Sequence, residues 1–225
     1  MPIYLLPDDK IVFPDPRLAN PDGILAVGGD LTPERLLLAY RMGIFPWFNS
    51  GEPILWWSTD PRLVLFPSEL KVSKSMRPYL NQKKFEWSID RDFEAVIRSC
   101  QKNEREGQQG GTWITSGIVQ SFCELHEMGY AHSVEVWQSG ELVGGLYGMA
   151  LGKIFFGESM FTKVSNASKF GFICLVRKLE EWGFQLIDCQ QETRHLMSMG
   201  ARSIDREDFL QCLEQNVEGH FFGEE

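Results

Sequence analysis

The chain has 225 residues, of which 43% are hydrophobic and 24% charged, a composition typical of a globular protein with a sizeable core. Its 22 Lys and Arg against 31 Asp and Glu give a net charge of −9, which argues against a protein that coats nucleic acid with a uniformly basic surface. No apolar run approaches the roughly 18 residues of a membrane span, and the first residues lack the basic segment of a signal peptide. We therefore expect a cytoplasmic protein that does not enter a membrane.

The cysteines and histidines make a metal enzyme improbable. The five cysteines contain no CxxC pair, and the four histidines form no HxxxH pattern. This pattern is typical of reduced thiols in the cytoplasm, and we expect no bound metal.

The first part of the chain is rich in turns. All eleven prolines lie before residue 81, which predicts a small, irregular N-terminal domain over 1–62 and a more regular domain over 63–225. Thr32 and Pro33 predict the start of a helix, and Gly43 predicts its end. The polar, Gly-containing stretch 103–111 is the best linker candidate.

The second part reads as mixed helices and strands. Asp90 and Thr115 or Ser116 can cap two helices, which three strands follow at 133–137, 141–149 and 153–161. A long helix over 166–182, a strand over 184–190, a helix to about 200 and a last helix from Asp205 complete the order. We predict an α+β fold with a mixed sheet, in the element order of the N-acetyltransferase (GNAT) superfamily, which fixes no function.

Polar residues lie at the ends of two of these strands. Glu158 ends an otherwise apolar strand, and period-two alternation would place Asp188 and Gln190 on one strand face, opposite Cys189. If the strand ends adjoin, the three polar residues form one cluster; a purely structural polar network is the alternative. Cys189 has no histidine nearby in sequence, so a packed thiol is favoured over a nucleophile.

Aromatic and basic residues indicate contacts with nucleic acid. Trp47, beside Pro46, is the best candidate for stacking on a base, whereas Trp56 and Trp57 suit packing in the core. Between residues 71 and 84 five bases and no acids occur, which fits either contacts with a phosphate backbone or a solvated surface.

The stretch 162–171 lacks the Gly-rich turn that holds the pyrophosphate of coenzyme A in N-acetyltransferases. This absence suggests a different acyl donor.

Seven motifs, in this order, resemble the bacterial leucyl/phenylalanyl-tRNA–protein transferase family. They are Gly28–Leu31, Gly43–Phe48, Ile54–Ser58, Gly111–Thr115, Gly157–Phe161, Asn166–Lys169 and Leu186–Gln190. The resemblance implies a monomeric enzyme, without cofactor, that moves Leu or Phe, and also Met, from aminoacyl-tRNA to the N-terminal Lys or Arg of proteins. The products would be marked for degradation by the N-end rule pathway. Leucyl-tRNA, phenylalanyl-tRNA and the acceptor proteins would be its partners.

The resemblance also implies roles for individual residues. Gln190 would accept a hydrogen bond from the attacking amine, Asp188 would polarise or orient Gln190, and Glu158 would orient the acceptor. Trp47 and Trp113 would surround the terminal adenosine. The substrate pocket would be formed by Tyr40, Leu146, Phe155, Phe172, Leu175, Leu179 and Ile187, and the tRNA would contact Lys74, Arg77, Lys83 and Lys84.

Two other functions remain open at this point. One is a coenzyme-A-dependent N-acetyltransferase, against which the missing pyrophosphate turn argues. The other is a non-catalytic tRNA-binding module, against which an apolar pocket beside three polar residues argues.

Overall fold

Two sheets and seven helices make up the part of the chain that a computed structural model describes, which is residues 3–82, 84–102, 112–219 and 222–223. Lys83 and the predicted linker 103–111 lie outside these ranges. Among the described residues, no helix has the length and apolar composition needed to cross a bilayer.

The first sheet has four strands in the order β1-β2-β4-β3. Its strands are β1 (Tyr4–Leu6), β2 (Ile24–Gly28), β3 (Phe45–Pro46) and β4 (Leu55–Trp57).

The predicted first helix is confirmed as α1 (Pro33–Arg41), between β2 and β3. Thr32 occupies the N-cap position, but its hydroxyl donates to Asp30 at 2.6 Å instead of capping the helix. Gly43 adopts a φ of +73° just after the helix, and a Cβ there would lie 3.0 Å from Phe209, so glycine suits both the turn and the packing.

The second sheet has seven strands in the order β11-β5-β10-β9-β8-β7-β6, with only β9 and β10 parallel to each other. The predicted antiparallel meander is confirmed as β7, β8 and β9. The seven strands are β5 (Arg62–Leu65), β6 (Glu86–Ile89), β7 (Ala131–Gln138), β8 (Glu141–Leu151), β9 (Ile154–Thr162), β10 (Leu186–Gln190) and β11 (Arg202–Ile204).

Helices cover both faces of this sheet, as expected for the mixed α+β fold. Tyr147 and Phe156 belong to the apolar cluster that includes α3 and α4, whereas their neighbours Leu146 and Phe155 belong to the cluster that includes α5. The helices after α1 are α2 (Arg77–Asn81), α3 (Phe93–Lys102), α4 (Ser116–Glu127), α5 (Ala167–Glu181), α6 (Arg194–Ser198) and α7 (Arg206–Asn216).

One predicted helix cap is wrong. Asp90 does not cap α3: it has a φ of +55°, and its carboxylate binds His132 and the backbone N–H of Ser133. Asp92 caps the helix instead, accepting from the N–H of Ala95 at 3.1 Å. The predicted cap at Thr115 is confirmed, because its hydroxyl accepts from the N–H of Ile118.

The two sheets share an apolar cluster. It includes Leu25 and Trp56 of the first sheet, Tyr147 and Phe156 of the second, and Phe209 of α7. The first residue of β5, Arg62, lies at the predicted boundary between 62 and 63, and the division into two domains stays a prediction.

Candidate active site

A cavity of about 380 Å³ opens beside the middle of β9 and the end of β10. The two parallel strands pair from Leu186 and Ile154 up to Asp188 and Phe156, and no pairing follows beyond that point. Their separation leaves room between them, and the loop with Trp47 covers one side. The volume falls within the usual range for sites that hold small molecules.

The inner wall is apolar. Leu146, Phe155, Phe172 and Ile187 line the cavity, together with Met160, which sequence reasoning missed. The two other leucines proposed for the pocket, Leu175 and Leu179, are fully buried behind this wall in the same apolar cluster.

Two tryptophans also line the cavity, Trp47 and Trp113. Trp57 supports Trp47: its indole N–H donates to the Trp47 carbonyl at 2.7 Å, and the two rings lie 5.4 Å apart. Trp56 is fully buried and its indole N–H donates to the carbonyl of Gly28, so it packs in the core as expected.

A hydrogen-bonded chain of three side chains reaches the cavity wall. The Tyr40 hydroxyl donates to Glu158 Oε1 at 2.7 Å, and Gln190 Nε2 donates to the same oxygen at 3.2 Å. Glu158 and Gln190 line the cavity, whereas Tyr40 is fully buried and lies behind Glu158, not on the wall. Within the described ranges nothing donates to Oε2 of Glu158, so a bound group can use that oxygen.

Glu158 has a strongly shifted pKa. Burial among protein atoms withdraws water from the carboxylate and raises its pKa to about 8, and the charge of Asp188 acts in the same direction. Hydrogen bonds from Tyr40 and Gln190 and the charge of Arg62 oppose the shift only in part. Glu158 therefore exchanges a proton near neutral pH.

Asp188 does not share a face with Gln190, so that prediction is wrong. Register shifts by one residue between them, and Gln190 has a φ of +56°, which breaks the period-two alternation. Ile187, Cys189 and Gln190 all line the cavity, while Asp188 is fully buried on the other side of β10. Asp188 contacts Gln190 through the backbone, accepting from its N–H at 3.0 Å.

β9 has a matching irregularity. Gly157 pairs with Gly148 and Ser159 with Tyr147, which leaves Glu158 as the extra residue. Bulges commonly redirect a side chain beside an active site. Glu158 and Gln190 therefore meet because both strands are irregular at the same level of the sheet.

Arg62, which sequence reasoning missed, pairs with Asp188. Its guanidinium donates two hydrogen bonds to the carboxylate, at 2.8 and 2.7 Å, and both side chains are buried. Phe45 and Phe209 each place a ring 4.6 Å from the guanidinium carbon. A charged residue directly before the apolar run Leu63–Phe66 was the available signal, since a buried arginine requires a partner.

Cys189 is a poor nucleophile in this setting. Burial raises the pKa of its thiol far above the ordinary value, and the neighbouring Asp188 charge adds to the shift. The geometry thus favours the packed thiol expected from the sequence.

Three of the four basic residues proposed for tRNA lie on one surface segment, and the fourth, Lys83, is outside the described residues. Lys74, Arg77 and Lys84 are exposed around α2, and Lys84 lies 4.8 Å above the ring of Tyr79. Phe85 packs against Phe170 of α5, which fixes the segment to the sheet face that carries α5. We call residues 71–84 the basic segment.

No metal centre is evident within the described ranges, since nowhere do three or more His, Cys, Asp or Glu residues gather as metal ligands.

Comparisons with known proteins give one family. A model described as Leucyl/phenylalanyl-tRNA protein transferase matches residues 64–214, and one described as its N-terminal domain matches residues 29–60. A transferase of that name from Nitrosospira multiformis is 59% identical over 89% of this chain and 85% of its own length. A transferase of the same name from Syntrophobacter fumaroxidans is 55% identical over 100% of this chain and 95% of its own length. Among solved structures, a GCN5-related N-acetyltransferase from Kribbella flavida has a TM-score of 0.40 at 11% identity, over 79% of this chain and 63% of that one.

Proposed function

The chain belongs to the leucyl/phenylalanyl-tRNA–protein transferase family, and from this premise we propose that it moves Leu or Phe from aminoacyl-tRNA to an N-terminal Lys or Arg. As a member of that family it is an aminoacyltransferase that uses tRNA as donor and protein as acceptor. Met is a further donor in the proposal. We place the reaction in the cytoplasm, where aminoacyl-tRNA is made, and infer that the product enters N-end rule degradation.

The observation that carries the proposal is the pairing of an apolar cavity wall with a proton-exchanging carboxylate. Leu146, Phe155, Phe172 and Ile187 suit a Leu or Phe side chain, because each buried methylene contributes about 0.8 kcal/mol to apolar transfer. A polar donor side chain would lose its hydrogen bonds to water in the same place. Glu158 and Gln190 lie on the wall of the same cavity.

The reaction we propose is aminolysis of the ester. The neutral α-amine attacks the ester carbonyl, a C–N bond forms, and the bond from the carbonyl carbon to the ribose oxygen breaks. One proton leaves the amine nitrogen for Oε2 of Glu158 and then passes to the departing ribose oxygen. The α-ammonium ion has an ordinary pKa of about 7.7–8.0, so the neutral amine and the ionised form of Glu158 become available over the same pH range.

Gln190 would orient the amine in this scheme. Its Nε2 donates to Glu158 Oε1, which leaves its own side-chain oxygen as an acceptor for the amine. Tyr40 would hold Glu158 from behind, and Asp188 would fix the backbone of Gln190. Asp188 acts as a positioning residue in this account, because Arg62 occupies both of its carboxylate oxygens.

The acceptor preference follows from charge. Glu158 attracts a cationic N-terminal residue once it is ionised, and the whole chain carries a net charge of −9.

The direct test is transfer of radiolabelled Leu from leucyl-tRNA to two proteins that differ only in the first residue, Arg or Ala. We expect label on the protein that begins with Arg and little on the one that begins with Ala. Equal labelling of both would refute the acceptor preference, and labelling of neither would refute the proposed function. Glu158→Gln is the matched control, since it keeps the shape of the site and removes the proton acceptor.

A further inference from the structure

His195 carries a buried nitrogen without a partner at the substrate cavity. His195 is one of the residues that line the cavity, and among the described residues no group forms a hydrogen bond with its buried Nε2. Leaving a buried polar atom unpaired is unfavourable. A bound molecule that offers a hydrogen-bonding atom would remove this penalty.

The position of His195 is fixed by local structure. Thr193 caps α6 by accepting from the N–H of Leu196 at 3.2 Å, and Ser198 donates to the His195 carbonyl at 2.6 Å. The N–H of Lys71 donates to the Met199 carbonyl at 2.8 Å, which joins the end of α6 to the basic segment. The helix that carries His195 therefore lines the cavity and is joined at its end to the basic segment.

The charge around His195 favours an anion. Burial lowers the pKa of His195, and the positive charge of Lys169, in the first turn of α5, acts in the same direction. Within the part of the chain that the structure describes, Lys169 has no acidic partner within 4.0 Å. A cationic acceptor terminus would be repelled here, whereas a nucleotide phosphate would be attracted.

We propose that His195 Nε2 binds an oxygen of the terminal nucleotide of the aminoacyl donor at the mouth of the cavity, with Lys169 attracting the phosphate of that nucleotide. The oxygen belongs either to the ribose or to the phosphate. His195 thus contacts the sugar–phosphate part of the donor, while the apolar wall holds its side chain. This inference rests on the proposed function and names a substrate contact within it.

The test measures KM for three donors: leucyl-adenosine, leucyl-adenosine 5′-phosphate and leucyl-tRNA. His195→Phe keeps a planar ring but removes the hydrogen bond, and we expect KM to rise about tenfold for at least one donor. His195→Gln places an amide at a similar reach and should stay within about threefold of the wild type. Met197→Ala, an exposed change on the same short helix, is the control and should leave KM unchanged.

The three donors identify the oxygen. A higher KM for all three donors in His195→Phe would show that His195 binds a ribose oxygen. A higher KM for only the two phosphorylated donors would show that it binds a phosphate oxygen. Lys169→Met should raise KM for the phosphorylated donors alone.

Unchanged donor KM values in folded His195→Phe would overturn the inference, as would a rise confined to the KM of the acceptor protein. A wild type that transfers no Leu would instead refute the proposed function itself. The two failures can therefore be told apart.

Discussion

Glu158 has a proton affinity that serves the reaction and weakens the fold. Its pKa of about 8 in the folded protein lies well above the ordinary 4.5, so above pH 4.5 the unfolded chain loses a proton that the folded protein keeps. Ionisation in solvent then favours the unfolded state. This destabilisation is absent below pH 4.5, grows as the pH rises towards about 8, and stays constant above that.

Glu158→Gln should consequently stabilise the protein while slowing transfer. The amide oxygen can still accept from Tyr40 and Gln190, and position 158 no longer carries a group that can ionise. We expect a higher Tm than that of the wild type at pH 8, with a smaller difference at pH 5.5, by thermal denaturation followed by circular dichroism. A Tm that is lower at both pH values would contradict the assigned pKa shift.

Cys189 provides a second test at the scale of a residue. Its thiol lines the cavity but is held in the protonated form, so Cys189→Ser should keep transfer within about threefold of the wild type. Wild-type protein incubated with radiolabelled leucyl-tRNA and no acceptor should carry no acid-stable label. A labelled protein, together with an inactive but folded Cys189→Ser variant, would point to a leucyl-enzyme and against direct aminolysis.

The residue types of the site could be predicted, but not their orientation. Glu158 and Gln190 were identifiable as polar residues in otherwise apolar strands, although Glu158 lies at a bulge in the middle of β9 and not at its end as expected. The placement of Asp188 could not be predicted, because strand alternation assumes regular backbone and Gln190 adopts a φ of +56°. The Asp188 carboxylate accepts from the N–H of Gln190 and pairs with Arg62, which lies 126 residues away in sequence, so no local pattern reveals this arrangement.

At the scale of elements, β5 and β10 are joined by the buried pair of Arg62 and Asp188. Loss of one partner leaves an uncompensated buried charge, which typically costs about 3–5 kcal/mol, whereas loss of both removes the charges together. Arg62→Met and Asp188→Asn should each destabilise strongly, and the double variant should lose clearly less than the sum.

Urea denaturation of the four proteins measures this coupling. Transfer kinetics supply a second readout: Asp188→Asn should lower kcat more than it raises the donor KM, because Asp188 fixes the backbone of Gln190. If the double variant lost as much free energy of unfolding as the two single variants together, Arg62 and Asp188 would not form the stabilising pair that joins β5 and β10. An unchanged kcat would contradict the positioning role.

The antiparallel meander was predictable because its strands follow one another in sequence and are joined by short turns with recognisable residues. Gly140, with a φ of +81°, follows Ser139, with a φ of +52°, and the two make the tight turn that a Ser-Gly pair indicates between β7 and β8. The short strands β5, β6 and β11 were not predicted. β5 has its partners β10 and β11 more than 120 residues later, and no pattern within four residues reveals such pairing.

At the scale of the whole molecule, charge is unevenly distributed. The chain has a net charge of −9, yet the basic segment contains no acidic residue between 71 and 84. An acidic protein can bind tRNA through one such segment, because affinity depends on local phosphate contacts.

Arg77→Gln and Lys74→Gln should each raise the KM for leucyl-tRNA and make binding less sensitive to salt. One lost phosphate contact lowers the slope of log K against log salt by roughly 0.7–0.9. Arg98→Gln removes the same charge from the exposed side of α3, on the opposite face of the sheet, and should leave the slope unchanged. If the salt dependence of Arg77→Gln and Lys74→Gln equalled that of the wild type, the tRNA would bind outside the basic segment.

The most direct test of the account is the pH dependence of kcat/KM for a peptide that begins with Arg, measured in wild type and Glu158→Gln at saturating leucyl-tRNA. Both Glu158 and the α-amine must lose a proton before attack, so the wild-type plot of log kcat/KM should rise through about pH 8, with a slope that approaches two at low pH. Glu158→Gln should be slower, with a slope of about one, since only the amine then titrates. The same slope in both proteins would contradict the assignment of Glu158 as the group that accepts the proton.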